Sequence, residues 1–370
     1  MNPLKALQEY GQSVWLDYIR RSLITSGELQ RLVDGDGLRG ITSNPAIFEK
    51  AITGSTDYAD DLKALKGRKG MDPKSLYESL AIPDIQAAAD VLWPVYEKTN
   101  GRDGFVSLEV SPYLARDTQA TIDEARRLWS AVGRDNVMIK VPGTPEGIPA
   151  ITQLLGEGIN VNVTLLFSQQ TYERVVEAYI AGLETRAVRG GDLSRVASVA
   201  SFFVSRIDTA IDALAAARLK TVTSATERSS LQSIVGKIAI ANAKLTYQRY
   251  KALFRGTRWE ALAGKGAHTQ RVLWASTSTK NPNYRDVIYV EELIGPDTVN
   301  TMPPSTLEAF RDHGRPRASL EEDIEAAHHT MEALEQAGIS MKEVTDRLVD
   351  DGVRLFAEPF EKLLSAVDRQ

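Results

Sequence analysis

The segment NVMIKVPGTPEG, residues 136–147, carries three apolar side chains directly into Lys140 and then breaks at Pro142 and Gly143. Asp17 and Glu109 stand at or near the ends of two other apolar runs, SVWLDY and FVSLEV, while Asn44, Thr164 and Ser201 hold similar places in three more. Charged side chains are almost never buried unless they are paired or put to use. A lysine and two carboxylates in such positions are therefore candidates for chemistry, with a mutual structural ion-pair cluster as the alternative. A free lysine titrates at about 10.4 and is a poor nucleophile near neutral pH. Desolvation disfavours its charged form and brings catalytic lysines to about 7 or 8. The dry wall of Val137, Met138 and Ile139 suits that effect. Such an amine adds to a ketone to form a Schiff base, and the resulting iminium is an electron sink. A carboxylate that removes a neighbouring hydroxyl proton would then break the adjacent carbon–carbon bond. This is class I aldol chemistry, and it asks for no metal and no cofactor.

Elements must bring these distant residues together. Short apolar segments bounded by turn residues occur at 13–18, 39–44, 105–110, 137–141, 159–166, 196–204, 271–276 and 297–302. Helical periodicity fills the gaps, as in 117–132, 169–188 and 206–217. Strands alternating with helices point to a parallel sheet, and eight of them point to a closed (β/α)8 TIM barrel of the α/β class. Within these strands polar residues alternate with apolar ones: Asn160, Asn162 and Thr164 share a face at period 2, as do Ser107 with Glu109, Thr42 with Asn44, and Ser276 with Ser278. In a barrel the ends of the strands converge on one mouth. The expectation is a single barrel domain over residues 1–370. It carries helical insertions near 50–100 and 218–262 and a C-terminal helical segment, 318–370, as a cover, since no Gly/Ser/Pro-rich linker sets these apart.

Composition narrows the partners. The 370 residues are 25% charged and 43% hydrophobic with a net charge of −5 and no acidic or basic block, which suits a soluble globular protein with a small-molecule partner rather than nucleic acid or an anionic membrane. The N-terminal stretch lacks the apolar core of a secretion signal, so a cytoplasmic location is expected. With no cysteine, disulfides, thiolate metal sites and cysteine nucleophiles are excluded. The four histidines, His268, His313, His328 and His329, fall outside the candidate strands, which argues against a zinc-dependent aldol site. The sequon NVT at 162–164 lies inside a core strand, and AGKGAH at 263–268 lacks the outer glycine and hydroxyl residue of a phosphate-binding P-loop. A dinucleotide fingerprint is absent.

The segments GITSNPAIF (40–48), VSLEVSP (106–112), VMIKVPGTPEGIPA (137–150), GINVNVTLLFS (158–168) and SFFVSRID (201–208) resemble, in order, the strand-end motifs of the transaldolase family. The lysine on the fourth strand followed by the GINVNVTLLFS segment distinguishes this pattern from other Schiff-base aldolases. Chain length and YVEELIGPDTVNTMP (289–303) are similar to the longer bacterial branch.

The resemblance implies roles. Lys140 would form the Schiff base with C2 of a ketose phosphate, and Asp17 would exchange the C4 hydroxyl proton. Glu109 and Thr164 would manage a water and the proton transfers of imine formation. Asn44, Asn162 and Ser201 would bind hydroxyls of the three-carbon fragment, Ser276 would help at the far end, and Arg206 would hold the phosphate with its forked donor. The chain departs from the family at one point. Where members often carry a second phosphate-binding arginine it has Ser278, and Lys280, two residues on, is the expected substitute. The implied reaction moves a dihydroxyacetone unit from sedoheptulose 7-phosphate to glyceraldehyde 3-phosphate without a cofactor, in a monomer or homodimer. Alternatives are a related aldolase that releases free dihydroxyacetone, against which Glu109 and Phe203 speak, and a silent barrel whose charges are merely paired.

Overall fold

A computed structural model describes residues 2–65 and 71–368. Eight parallel strands close into a barrel in chain order: β1 (Gln12–Asp17), β2 (Gly40–Thr42), β3 (Phe105–Glu109), β4 (Val137–Pro142), β5 (Val161–Leu166), β6 (Ser198–Phe203), β7 (Arg271–Ala275) and β8 (Thr298–Met302). The (β/α)8 expectation is met, and every strand falls within or beside its predicted segment. The clearest difference is at β2, which stops at Thr42 instead of running to residue 44. Asn44 turns to cap the helix Pro45–Thr53, its side chain accepting from the Ile47 amide at 3.0 Å, and Pro45 supplies the preset backbone of a first helical residue. The flanking helices are delimited by similar local signals. Asp117 caps Thr118–Val132, which stops at Gly133 with φ 57°, and Ser168 caps Gln169–Val188.

The region near 50–100 forms the helices Ala59–Leu65 and Pro73–Lys98, while 218–262 contains Ala225–Ile234, Ile238–Leu253 and most of Thr257–Ala263. The chain ends in Ile324–Gln336 and the long helix Met341–Asp368. The long helix buries Val344, Leu348, Gly352, Phe356 and Phe360, a stripe at four-residue spacing. Among the described residues no helix is long and apolar enough to cross a membrane.

At the N-terminal end of the barrel, Asp103 accepts from Ser13 Oγ at 2.6 Å, from Trp15 Nε1 at 3.2 Å and from Arg271 Nη2 at 2.9 Å. The Trp15 ring occupies the space where a side chain on Gly40 would stand, its nearest ring atom 2.4 Å from the position of a Cβ there. Pairing and hydrogen bonds hold the Asp103 carboxyl below its ordinary value against the cost of its burial. This charged plug leaves the other end of the barrel to the candidate chemistry.

Candidate active site

Strand register places three of the candidate residues in one layer. Glu109 on β3 pairs with Lys140 on β4, and Lys140 pairs with Asn162 on β5. Residues side by side in a ladder point to the same face, so these three side chains share the barrel interior. Lys140 is only 4% exposed. Its Nζ donates to the Ser43 carbonyl at 3.2 Å and lies 3.3 Å from Glu109 Oε2. Asn162 donates to Ser107 Oγ at 3.0 Å and accepts from Ser201 Oγ at 2.6 Å, so its amide orientation is set from both sides.

Burial pushes the Glu109 carboxyl above its ordinary value, against the pull of Lys140; the charge of Asp17 adds to the rise. Asp17, at the end of β1, is also raised by burial, with Lys140 and the hydrogen bond from Thr42 Oγ1 at 2.7 Å opposing. Thr42 in turn shares a 2.7 Å hydrogen bond with Thr301 Oγ1. Among the described residues neither Glu109 oxygen nor Thr164 Oγ1 has a hydrogen-bond partner, although all three atoms are buried. Unpaired buried polar atoms are costly.

A cavity of about 480 Å³ opens above this layer. Its walls include Asp17, Asn44, Lys140, Ser201, Arg206, Ser276 and Lys280, so these candidates meet at one mouth. Glu109, Asn162 and Thr164 are buried outside the cavity lining. Asn44 is committed to its helix cap, which leaves its amide nitrogen for other partners. Ser276 adopts φ 54°, a left-handed conformation uncommon outside glycine, and shares a 2.9 Å hydrogen bond with Ser205 Oγ.

The Arg206 guanidinium carbon lies 5.2 Å from the centre of the Phe203 ring, and Arg206 Nη1 is buried without a hydrogen-bond partner among the described residues. Burial draws this guanidinium below its usual value, though an arginine stays charged. Lys280 donates to Ser278 Oγ at 2.8 Å. Desolvation lowers its amine, with the positive charges of Arg206 and Lys50 adding to the effect, and its exposure at the rim moderates the shift.

Lys50, Phe356 and Thr301 also line the cavity and were not expected there. Lys50 lies on the helix that Asn44 caps, and Phe356 comes from the C-terminal helix. In sequence a lysine on an amphipathic helix reads as solvated, and a phenylalanine at four-residue spacing reads as core. Thr301 had a usable signal, the alternation TVNTM, but no charge to draw attention to it. Asn160, which alternates with Asn162, takes no part in the cavity: its amide bonds the carbonyls of Asp135 and Val137 at 2.8 and 3.1 Å near the strand starts. Among the described residues no group of three or more His, Asp or Glu side chains is placed to hold a metal.

The fold and site define a (β/α)8 barrel with a buried strand-four lysine beside a carboxylate, facing a cation-rimmed cavity. Residues 14–367 match the family described as "Transaldolase/Fructose-6-phosphate aldolase". Curated relatives span the whole chain. The protein named "Transaldolase" of Trichodesmium erythraeum is 50% identical over 372 residues, covering 100% of this chain and 97% of its own. Those of the same name from Thiobacillus denitrificans and Thermobifida fusca are 48% identical, covering 99% of this chain and 100% of theirs, and 47% identical, covering 100% and 98%. The chain belongs to the transaldolase/fructose-6-phosphate aldolase family.

Proposed function

We propose that the protein is a transaldolase, moving a dihydroxyacetone unit from sedoheptulose 7-phosphate to glyceraldehyde 3-phosphate through a Schiff base on Lys140. The observation that carries this reading is the buried Lys140 amine, 3.3 Å from Glu109 and facing a cavity lined by Asp17 and Arg206. The amine adds to C2 of the ketose, and loss of one water gives the iminium. Glu109 and Thr164, with their unpaired oxygens, are suited to hold that water and pass protons during its loss and return. Asp17 takes the C4 hydroxyl proton as the C3–C4 bond breaks. The aldehyde leaves, and the electron pair remains as an enamine on Lys140. Attack of the enamine on the incoming aldehyde returns the proton from Asp17 to the new hydroxyl, and one water then frees fructose 6-phosphate.

A carboxyl raised by burial holds a proton more readily than a free aspartate, which suits such two-way proton transfer. Asn44, Asn162 and Ser201 bind hydroxyls of the three-carbon unit. Arg206, with Ser276 and Lys280, takes the phosphate, and the unpaired Nη1 of Arg206 supports an anionic partner. The reading extends to a cytoplasmic enzyme of the pentose phosphate pathway, one barrel domain with helical insertions, acting as a monomer or homodimer.

Borohydride reduction in the presence of fructose 6-phosphate, followed by digestion, tests the mechanism. A sugar-derived mass on the Lys140 peptide is expected, and its absence sinks the proposal. Adding erythrose 4-phosphate should yield sedoheptulose 7-phosphate faster than free dihydroxyacetone.

A further inference from the structure

Phe356 stands in an unusual relation to the reacting groups. Its ring centre lies 5.5 Å from Lys140 Nζ and 6.0 Å from the Arg206 guanidinium carbon, and the residue is 5% exposed. One aromatic ring therefore stands within cation–π range of both the amine that would hold the three-carbon unit and the arginine that would hold the phosphate. Cations within about 6 Å of a ring centre are attracted to its face.

The ring is delivered from outside the barrel. One helical turn before it, Gly352 meets β5 so closely that a Cβ at that position would stand 2.7 Å from Leu165 Cδ2. Leu165 itself sits at φ 61°, where the register between β5 and β6 shifts, and it is fully buried. One turn after it, Phe360 packs edge-on against Tyr77 and Tyr113 at 5.7 and 5.6 Å. The helix is thus anchored on both sides of Phe356, and the ring is held as a fixed wall of the cavity.

We infer that Phe356 is a specificity-determining residue that roofs Lys140 and favours transfer of the three-carbon unit to an aldehyde over its release by water. This rests on the Schiff-base reading above. Once the first aldehyde has left, the enamine on Lys140 has two fates. Its carbon attacks a second aldehyde, and the new alkoxide is protonated. Otherwise that carbon takes a proton, and one water splits the imine into free dihydroxyacetone and the lysine amine. Both routes end in hydrolysis of an iminium with the water placed by Glu109 and Thr164; only release first needs solvent to deliver a proton to the enamine carbon while no acceptor is bound. An apolar ring beside the nitrogen keeps bulk solvent from the enamine carbon on that side, and its π face compensates the positive charge that the displaced solvent would otherwise stabilise.

The test measures the ratio of free dihydroxyacetone to sedoheptulose 7-phosphate formed from fructose 6-phosphate and erythrose 4-phosphate. Wild type is compared with Phe356→Leu and Phe356→Ala. The borohydride-trapped Lys140 adduct is quantified in each. Wild type should favour transfer by at least about tenfold, a decade corresponding to about 1.4 kcal/mol of barrier difference. Phe356→Ala should shift the ratio about tenfold toward release, with Phe356→Leu between, since leucine keeps the cover and loses the ring face. A residue serving packing alone would lower both products together. An unchanged ratio in either active variant overturns the inference, as does a wild type that releases dihydroxyacetone as fast as it transfers it, an arm that needs no variant to fold. A wild type without any Lys140 adduct instead overturns the Schiff-base reading.

Discussion

Glu109 lies directly across the β3–β4 ladder from Lys140, its Oε2 3.3 Å from the lysine Nζ, yet neither of its oxygens accepts a hydrogen bond among the described residues. Glu109→Gln keeps the shape and removes the proton-transfer capacity. It should slow adduct formation and kcat by about 10²–10⁴-fold, with KM changed much less. Single-turnover trapping on Lys140 checks this, and near-normal trapping would reduce Glu109 to a structural partner.

Thr42 tunes Asp17. Its 2.7 Å hydrogen bond favours the charged carboxylate and opposes the rise caused by burial. In the proposed mechanism Asp17 must be ionised to accept the C4 hydroxyl proton, so cleavage should be lost as pH falls through its value in the folded protein. That acid limb should lie above the ordinary aspartate value of about 3.9. Thr42→Val removes the opposing bond and should move the limb further upward. A kcat/KM profile against pH for the two proteins measures it; coincident limbs would show that another group controls the profile.

The cationic rim should separate into unequal parts. Arg206→Lys keeps a charge and loses the fork, while Lys280→Met removes a rim charge. Hydrogen bonds to charged groups contribute about 1.5–3 kcal/mol, so Arg206→Lys should raise KM for fructose 6-phosphate by about tenfold or more. Lys280→Met and Lys50→Met, at exposed positions, should each cost less and lose their effect at high salt. Initial rates at low and high ionic strength test the ordering. Equal effects of all three substitutions would contradict it.

Asp208 ties the helix that carries Arg206 to the β7–β8 connection. Its oxygens accept from the Ala239 amide at 2.7 Å and from Tyr289 OH at 2.9 Å, and burial raises the carboxyl to about 6. With the unfolded value near 3.9, the folded protein holds this proton more tightly. The associated stability is present below about 4 and is lost as pH rises through about 6. Asp208→Asn, neutral throughout, should lack that loss. Its stability relative to wild type should therefore improve by about 2–3 kcal/mol between pH 4 and pH 7. Urea denaturation across that range checks the sign, and a constant difference would show that Asp208 stays ionised.

Much of the architecture is written locally. Period-2 runs such as FVSLEV and VMIKV are strands because alternate side chains must face opposite sides of a sheet, and Asn44–Pro45 and Ser168 start helices through their own hydrogen bonds and preset backbone. Lys140, Asp17 and Glu109 were legible because a charge at the end of an apolar run is costly wherever that run folds. That Glu109 would stand beside Lys140 while Asp17 and Lys140 line one cavity depended on barrel closure and register, which no single strand encodes. Lys50 and Phe356 were illegible for a different reason. Their local patterns are those of a solvated lysine and a core phenylalanine, and the terminal helix comes across the mouth through its packing on distant segments, Gly352 on Leu165 and Phe360 on Tyr77 among them. Side-chain chemistry and strand period are properties of neighbours in sequence, whereas the walls of the cavity are set by contacts between segments far apart in the chain, whose geometry exists only when the whole barrel is closed.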